Sequence, residues 1–173
     1  ALCERHGARL LLDEAHALGV LGNGGRGLGF GEERVTLLSG TFGKAFGSGG
    51  AFLACDSELG EKLLQESGAF RYTTALAPPL TAAALAALEL IRNNPCWGRQ
   101  LVERSDKWRD RMAEAGWARP TGCGPILPLI VGDDQRCLNL QHQLELAGLL
   151  TAAIRPPTVP EGSTRLRLVL HRC

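Results

Sequence analysis

Leu38-Ser-Gly-Thr-Phe-Gly-Lys-Ala-Phe-Gly-Ser-Gly-Gly50 is the stretch around which the 173-residue chain is organised. Lys44 is one of three lysines, against sixteen arginines, and the only charged residue between Arg34 and Asp56. Gly40, Gly43, Gly47, Gly49 and Gly50 surround it, with apolar runs on both sides. An amine so placed is expected to be partly desolvated, which makes it a better nucleophile. The competing reading is a surface lysine on a flexible loop.

Upstream, Ala8-Arg-Leu-Leu-Leu12 is a short apolar run of the kind that forms a buried parallel strand. It ends in Asp13-Glu-Ala-His16, and open α/β sheets place ligands at such strand ends. A lone Asp13 reads equally as a turn or cap residue; its spacing from His16 and Lys44 favours chemistry. Residues 1–6 read as the end of a helix stopped by Gly7. Leu18–Gly31, with seven glycines and one charge, is a loop that passes close to other backbone or to a ligand.

Downstream, Arg34–Ser39 and Ala51–Cys55 are strand candidates, and Ser57 caps a helix running to about Ser67. Tyr72–Pro79 is extended, because proline disfavours helix in the residue before it. Thr81–Arg92 is apolar nearly all round and is expected to be buried. Trp97–Ala115 is a charged helix whose Trp97, Leu101, Trp108 and Met112 serve packing. Ile126–Val131, a helix capped by Asp133 or Asp134, Leu149–Ile154 and Thr164–Leu170 then form an α+β unit.

Composition narrows the function. With 45% apolar and 21% charged residues the chain is globular, and a formal net charge of +1 with scattered arginines argues against nucleic acid. No apolar run approaches the roughly 18–20 residues of a membrane span. Six dispersed cysteines (Cys3, Cys55, Cys96, Cys123, Cys137, Cys173) without a CxxC pair fit reduced cytoplasmic thiols better than disulfides or zinc. Both ends look cut, so the chain is expected to be part of a longer polypeptide.

Two familiar motifs fail. Gly40-Thr-Phe-Gly-Lys44 lacks the distal glycine and the following Ser or Thr of a phosphate-binding P-loop; Leu38 and Ala45 stand nearby instead. Asp13-Glu-Ala-His16 spells a helicase box, yet no arginine-rich second domain follows. Pyridoxal phosphate (PLP) chemistry asks for what remains. A lysine bonds the cofactor, a carboxylate keeps its ring nitrogen protonated, and hydroxyl or backbone donors take the phosphate.

Asp13-Glu-Ala-His16, Thr41-Phe-Gly-Lys44, Thr73-Thr-x-x-x-Pro-Pro79 and Ala153-Ile-Arg-Pro-Pro-Thr-Val-Pro160 followed by Arg165-Leu-Arg-Leu168 together resemble the α-oxoamine synthases, PLP enzymes of aspartate-aminotransferase fold type I. The resemblance extends to about Leu170. It implies an α/β fold: the second part of the large PLP-binding domain with a mostly parallel sheet (1–94), a connecting helix (95–116) and a truncated α+β small domain (117–173). It implies that Lys44 bonds PLP and moves the substrate Cα proton, Asp13 pairs with the ring nitrogen, and His16 bonds the phenolic oxygen. Thr41 binds the phosphate, and Thr73 or Thr74 reaches the phosphate in the partner subunit of a homodimer with shared sites. Arg167 holds the amino-acid carboxylate and Thr158 lines the acyl site, while Arg155 and Arg165 stay open between substrate and structural roles.

The Ile154–Pro160 run favours the branch that joins L-alanine to a pimeloyl thioester, on CoA or acyl carrier protein, for biotin. Branches of the 2-amino-3-ketobutyrate CoA ligase and 5-aminolevulinate synthase kind share the chemistry. A non-catalytic, dimer-forming remnant is the reading from another class. The family's N-terminal half, with its ring-stacking histidine, and its last helix have no counterpart here, so the chain alone is expected to be inactive.

Overall fold

The computed structural model describes residues 2–172, so Ala1, expected to open the first helix, and Cys173 lie outside the described residues. Two compact units, Ala1–Arg99 and Gln100–Cys173, divide the chain.

The first unit holds strands β1 (Leu11–Asp13), β2 (Leu37–Thr41) and β3 (Ala51–Cys55) in that spatial order. Its helices are α1 (Leu2–Arg5), α2 (Ser57–Glu66), α3 (Gly68–Arg71) and α4 (Pro78–Asn93). β1 and β2 are parallel, in register Leu11↔Leu37 to Asp13↔Ser39. β3 departs from the parallel expectation: it returns antiparallel along β2, with Thr41 opposite Ala51. The nine residues between them close a tight turn, and so short a connection permits only antiparallel pairing.

Side chains alternate across this sheet, which gives it two different faces. Leu12, Leu38, Gly40 and Phe52 point to one face by register. The Leu18–Gly31 loop covers that face. A Cβ at Gly29 lies 2.5 Å from the Leu12 side chain, and one at Gly40 lies 2.5 Å from the Phe52 ring and 2.6 Å from Leu18. Gly40→Ala is therefore expected to cost roughly 1–3 kcal/mol by overpacking, read as a lower denaturation midpoint. On the other face Leu11 (59%) and Leu53 (39%) stay exposed.

Helix ends follow local chemistry. Asp56, not Ser57, is the cap of α2, and its carboxylate accepts from the Leu59 amide at 2.7 Å. α4 begins earlier than expected because Pro78 and Pro79 occupy the first helical positions, where a missing N–H costs nothing. Its expected burial is not found: only Ala84 is buried, and Leu85 and Leu90 are 58% and 55% exposed. One face packs, Leu80 near Gly49 and Ile91 near Gly19; three strands leave nothing to cover the rest.

Helix α5 (Trp97–Glu114) runs from the first unit into the second. The second unit adds β4 (Ile126–Gly132), α6 (Asp134–Leu146), β5 (Ala152–Ile154) and β6 (Thr164–Val169). β6 is central and antiparallel to both neighbours. Leu129, Cys137 and Leu166 form the core, with Met112, Trp117 and Leu168 packed around it. Burial pushes the Cys137 thiol pKa up, which keeps it protonated and unreactive. The five described cysteines are free.

Candidate active site

β1 and β2 run parallel, so both end at the same edge of the first unit's sheet. Asp13 is the last residue of β1, and its register partner Ser39 lies on β2. Thr41, the last residue of β2, is two residues further on the same face, roughly 7 Å along the strand. That face is the open one. The loops carrying His16 and Lys44 both leave the sheet here.

Asp13 is exposed, and one carboxylate oxygen accepts from the Ala15 amide at 2.8 Å. This bond holds the side chain at the strand end and leaves the second oxygen available. His16 follows within the turn and is exposed.

Lys44 sits on a braced loop, not a flexible one. The Phe42 amide donates to Gly50 O at 2.9 Å, the Ser48 amide to Phe42 O at 2.8 Å and the Gly47 amide to Lys44 O at 3.0 Å. Phe42 stacks edge-on with Phe46, centroids 5.4 Å apart, and lies 5.4 Å from the Phe52 ring. Ser48 Oγ donates to Leu80 O at 2.6 Å, tying the loop to α4. The expected desolvation is absent: Lys44 is exposed, because the loop projects beyond the sheet and nothing in the unit lies over it.

The Thr41 hydroxyl is engaged. It donates to Gly50 O and accepts from the Gly43 amide, each at 3.1 Å, so it closes the loop on both sides of Lys44. It can meet a phosphate only by turning its proton away from Gly50. Thr73 is likewise committed, donating to Ala69 O at 2.8 Å, whereas Thr74 is exposed and its hydroxyl has no partner among the described residues.

Tested against PLP, the donor set fits. Lys44 offers an amine to the aldehyde, Asp13 an unengaged carboxylate oxygen to the ring nitrogen, and His16 an imidazole to the phenolic oxygen. A different feature, a cleft of about 790 Å³ lined by Leu18, Arg26, Phe30, Phe46, Ile91 and Arg92, includes none of these groups. The chemistry locates the candidate site at the strand ends rather than in that cleft.

Arg167 and Thr158 belong to the second unit. Arg167 lies on central β6 opposite Pro128 and Ala152, on the sheet face away from Leu166 and the core. It is exposed, and its guanidinium has no partner among the described residues. Arg165 shares that face, but its Nε donates to Ser163 O at 2.9 Å. Thr158 is exposed in the turn after β5, its amide donating to Arg155 O at 3.0 Å.

Sequence reasoning passed over Ser39 and Ser48. It also passed over Glu14, which is 1% exposed beside Asp13. Strand parity carries a signal for Glu14, since it falls in step with inward-facing Leu12.

Residues 1–171 match the aminotransferase class I and II family. The chain is 43% identical over 172 residues to an 8-amino-7-oxononanoate synthase from Anaeromyxobacter dehalogenans, covering 98% of this chain and 43% of that protein. Among solved structures it resembles the 8-amino-7-oxononanoate synthase of Francisella tularensis, with TM-score 0.80 and 27% identity over 94% of this chain and 49% of that one. A structure of SPT with a PLP internal aldimine superposes with TM-score 0.88 at 25% identity, covering 97% of this chain and 44% of that one. The chain thus spans less than half the length of each.

Proposed function

Because the chain belongs to the aminotransferase class I and II family, we propose that it carries part of the active site of a PLP-dependent acyltransferase joining L-alanine to a pimeloyl thioester. The products are 8-amino-7-oxononanoate, CO2 and the free thiol carrier, CoA or acyl carrier protein. The observation that supports this most is Asp13 and Thr41 on one open face at the shared end of parallel strands, with the braced Lys44 loop beyond them. Residues 1–94 are read as the cofactor domain, 95–116 as the connecting helix and 117–173 as the small domain. The working state is a cytoplasmic homodimer in which Thr74, whose hydroxyl is unengaged, reaches the partner's phosphate. No helix of the described residues is long and apolar enough to cross a membrane.

When bound, PLP supplies an electron sink for the pair left at the substrate Cα. The chain's residues do the rest. Asp13 keeps its carboxylate on the ring nitrogen and so holds the proton there. His16 fixes the phenolic oxygen. Thr41 would turn its hydroxyl proton from Gly50 to the phosphate while its oxygen keeps the Gly43 amide. Arg167 would bind the alanine carboxylate as a charge-assisted pair and so hold the substrate in place for loss of its Cα proton. The Lys44 amine would take the Cα proton; Cα would then bond to the thioester carbonyl carbon beside Thr158 as the C–S bond breaks, releasing the carrier thiolate to take a proton from solvent. The condensed β-keto acid loses its carboxylate as CO2, and Lys44 returns a proton to Cα.

The direct test compares pimeloyl-CoA with acetyl-CoA and succinyl-CoA, using a full-length protein that carries this sequence. Turnover with pimeloyl-CoA well above the other two is expected; preference for a short acyl chain contradicts the assignment. Arg167→Ala is expected to raise the alanine KM roughly 10–100-fold while PLP stays bound, as steady-state kinetics and the cofactor spectrum report. An unchanged alanine KM identifies Arg167 as the wrong arginine.

A further inference from the structure

Glu14 stands between the two groups assigned to the cofactor ring, yet its side chain is among the most deeply buried in the chain, at 1% exposure. Its main chain marks where the polypeptide leaves the sheet. The amide donates to Ser39 O at 2.8 Å, one step past the last β1–β2 pair. Its carbonyl accepts from the Ala17 and Leu18 amides at 2.9 and 3.0 Å and so closes the turn that carries His16.

The side chain points the opposite way from Asp13, toward the covered face. Oε1 accepts from the Gly29 amide. A Cβ on Gly27 lies 3.0 Å from the Glu14 carboxyl carbon, and one on Gly29 lies 3.2 Å from Oε1. Gly27 is buried with φ +87°, a conformation that glycine adopts without strain. The returning arm of the glycine-rich loop is thus moulded on this carboxylate. None of the ion pairs among the described residues involves Glu14. A buried carboxylate without a cation is a poor source of stability, and such departures from packing rules belong to sites with another task.

We propose that Glu14 is a positioning residue for the cofactor site. Its carboxylate locks Gly27–Gly29 to the back of the sheet. That anchor fixes the turn from which Asp13 and His16 are presented on the front. The Ala15–Asp13 bond that aims Asp13 spans Glu14, so a residue 14 released from its pocket releases Asp13 as well. The proposal rests on the assignment of Asp13 and His16 to PLP made above.

The test uses a full-length holoenzyme carrying this sequence and reads PLP affinity, the visible spectrum of bound PLP and the thermal midpoint. Glu14→Asp keeps the charge but falls one methylene short of Gly29. It is expected to weaken PLP roughly tenfold or more and to move the bound-cofactor spectrum toward that of Asp13→Asn. Glu14→Gln keeps an oxygen in reach of the Gly29 amide, and its PLP affinity is expected to stay within about threefold of the parent. A lowered midpoint with unchanged affinity and spectrum in Glu14→Asp means a structural role only and overturns the proposal. So does an equal loss in both variants, which makes charge rather than reach the cause. If Asp13→Asn itself leaves PLP binding and spectrum unchanged, the site assignment fails. If Asp13→Asn weakens PLP and Glu14→Asp does not, the proposal alone fails.

Discussion

Lys44→Ala, in a full-length protein carrying this sequence, is expected to abolish covalent capture of PLP and to lower turnover by about 10³-fold or more. The chain offers no substitute amine. Lys62 lies on α2, 64% exposed and 3.9 Å from Glu66, and Lys107 lies on α5. The same variant is expected to fold normally, because the exposed Lys44 side chain anchors nothing; the loop is held by Thr41, Ser48 and the two phenylalanines. Its stability should lie within about 0.5 kcal/mol of the parent. Absorbance spectra before and after borohydride, alongside a denaturation curve, separate the two effects. A reducible chromophore retained in Lys44→Ala contradicts the account.

Arg109→Ala should produce the largest loss of stability, about 3 kcal/mol or roughly 150-fold in the folding equilibrium. The guanidinium is fully buried. One nitrogen donates to Gly124 O at 2.7 Å and Ile126 O at 3.2 Å, and another to Asp106 at 3.1 Å. It joins α5 to the segment that enters β4, the neighbour of the strand bearing Arg167. Alanine leaves two carbonyls without their donor and a cavity where the side chain was. Arg109→Lys should also be destabilised, since one ammonium cannot reproduce the planar fork. Urea unfolding is expected to show a lower midpoint with an unchanged slope. A shift below about 0.5 kcal/mol removes Arg109 from its structural role.

The fold's main elements and the order of the proposed site residues were legible because they depend on local chemistry. Asp13, Lys44 and the strands around them are set by apolar runs, turn residues and motif spacing. The misreadings have tertiary causes. β1 was read as ending at Leu12, but hydrogen bonding with Ser39 carries it through Asp13, and apolarity does not report pairing. Lys44 was expected to be desolvated from its neighbours in sequence, yet solvent access depends on what lies over the loop. α4 was expected to be buried for the same reason, although its packed face matches the close approaches at Gly19 and Gly49.

Glu14 and Arg109 were hidden differently. A charged residue reads as surface unless its position in the period is weighed, and both keep step with inward-facing neighbours: Leu12 and Glu14 at strand spacing, Ser105, Arg109 and Met112 at helical spacing. Parity marks them as inward-facing. The partners that make burial tolerable, the Gly29 amide and the Gly124 and Ile126 carbonyls, lie fifteen or more residues away in sequence. No local pattern announces those contacts.

The most direct measurement is to load a full-length protein carrying this sequence with PLP, reduce it with borohydride, digest it and map the labelled peptide by mass spectrometry. A single pyridoxyl group on Lys44, within Leu38–Gly50, is expected. Label on Lys62, on Lys107 or on no residue of this chain contradicts it.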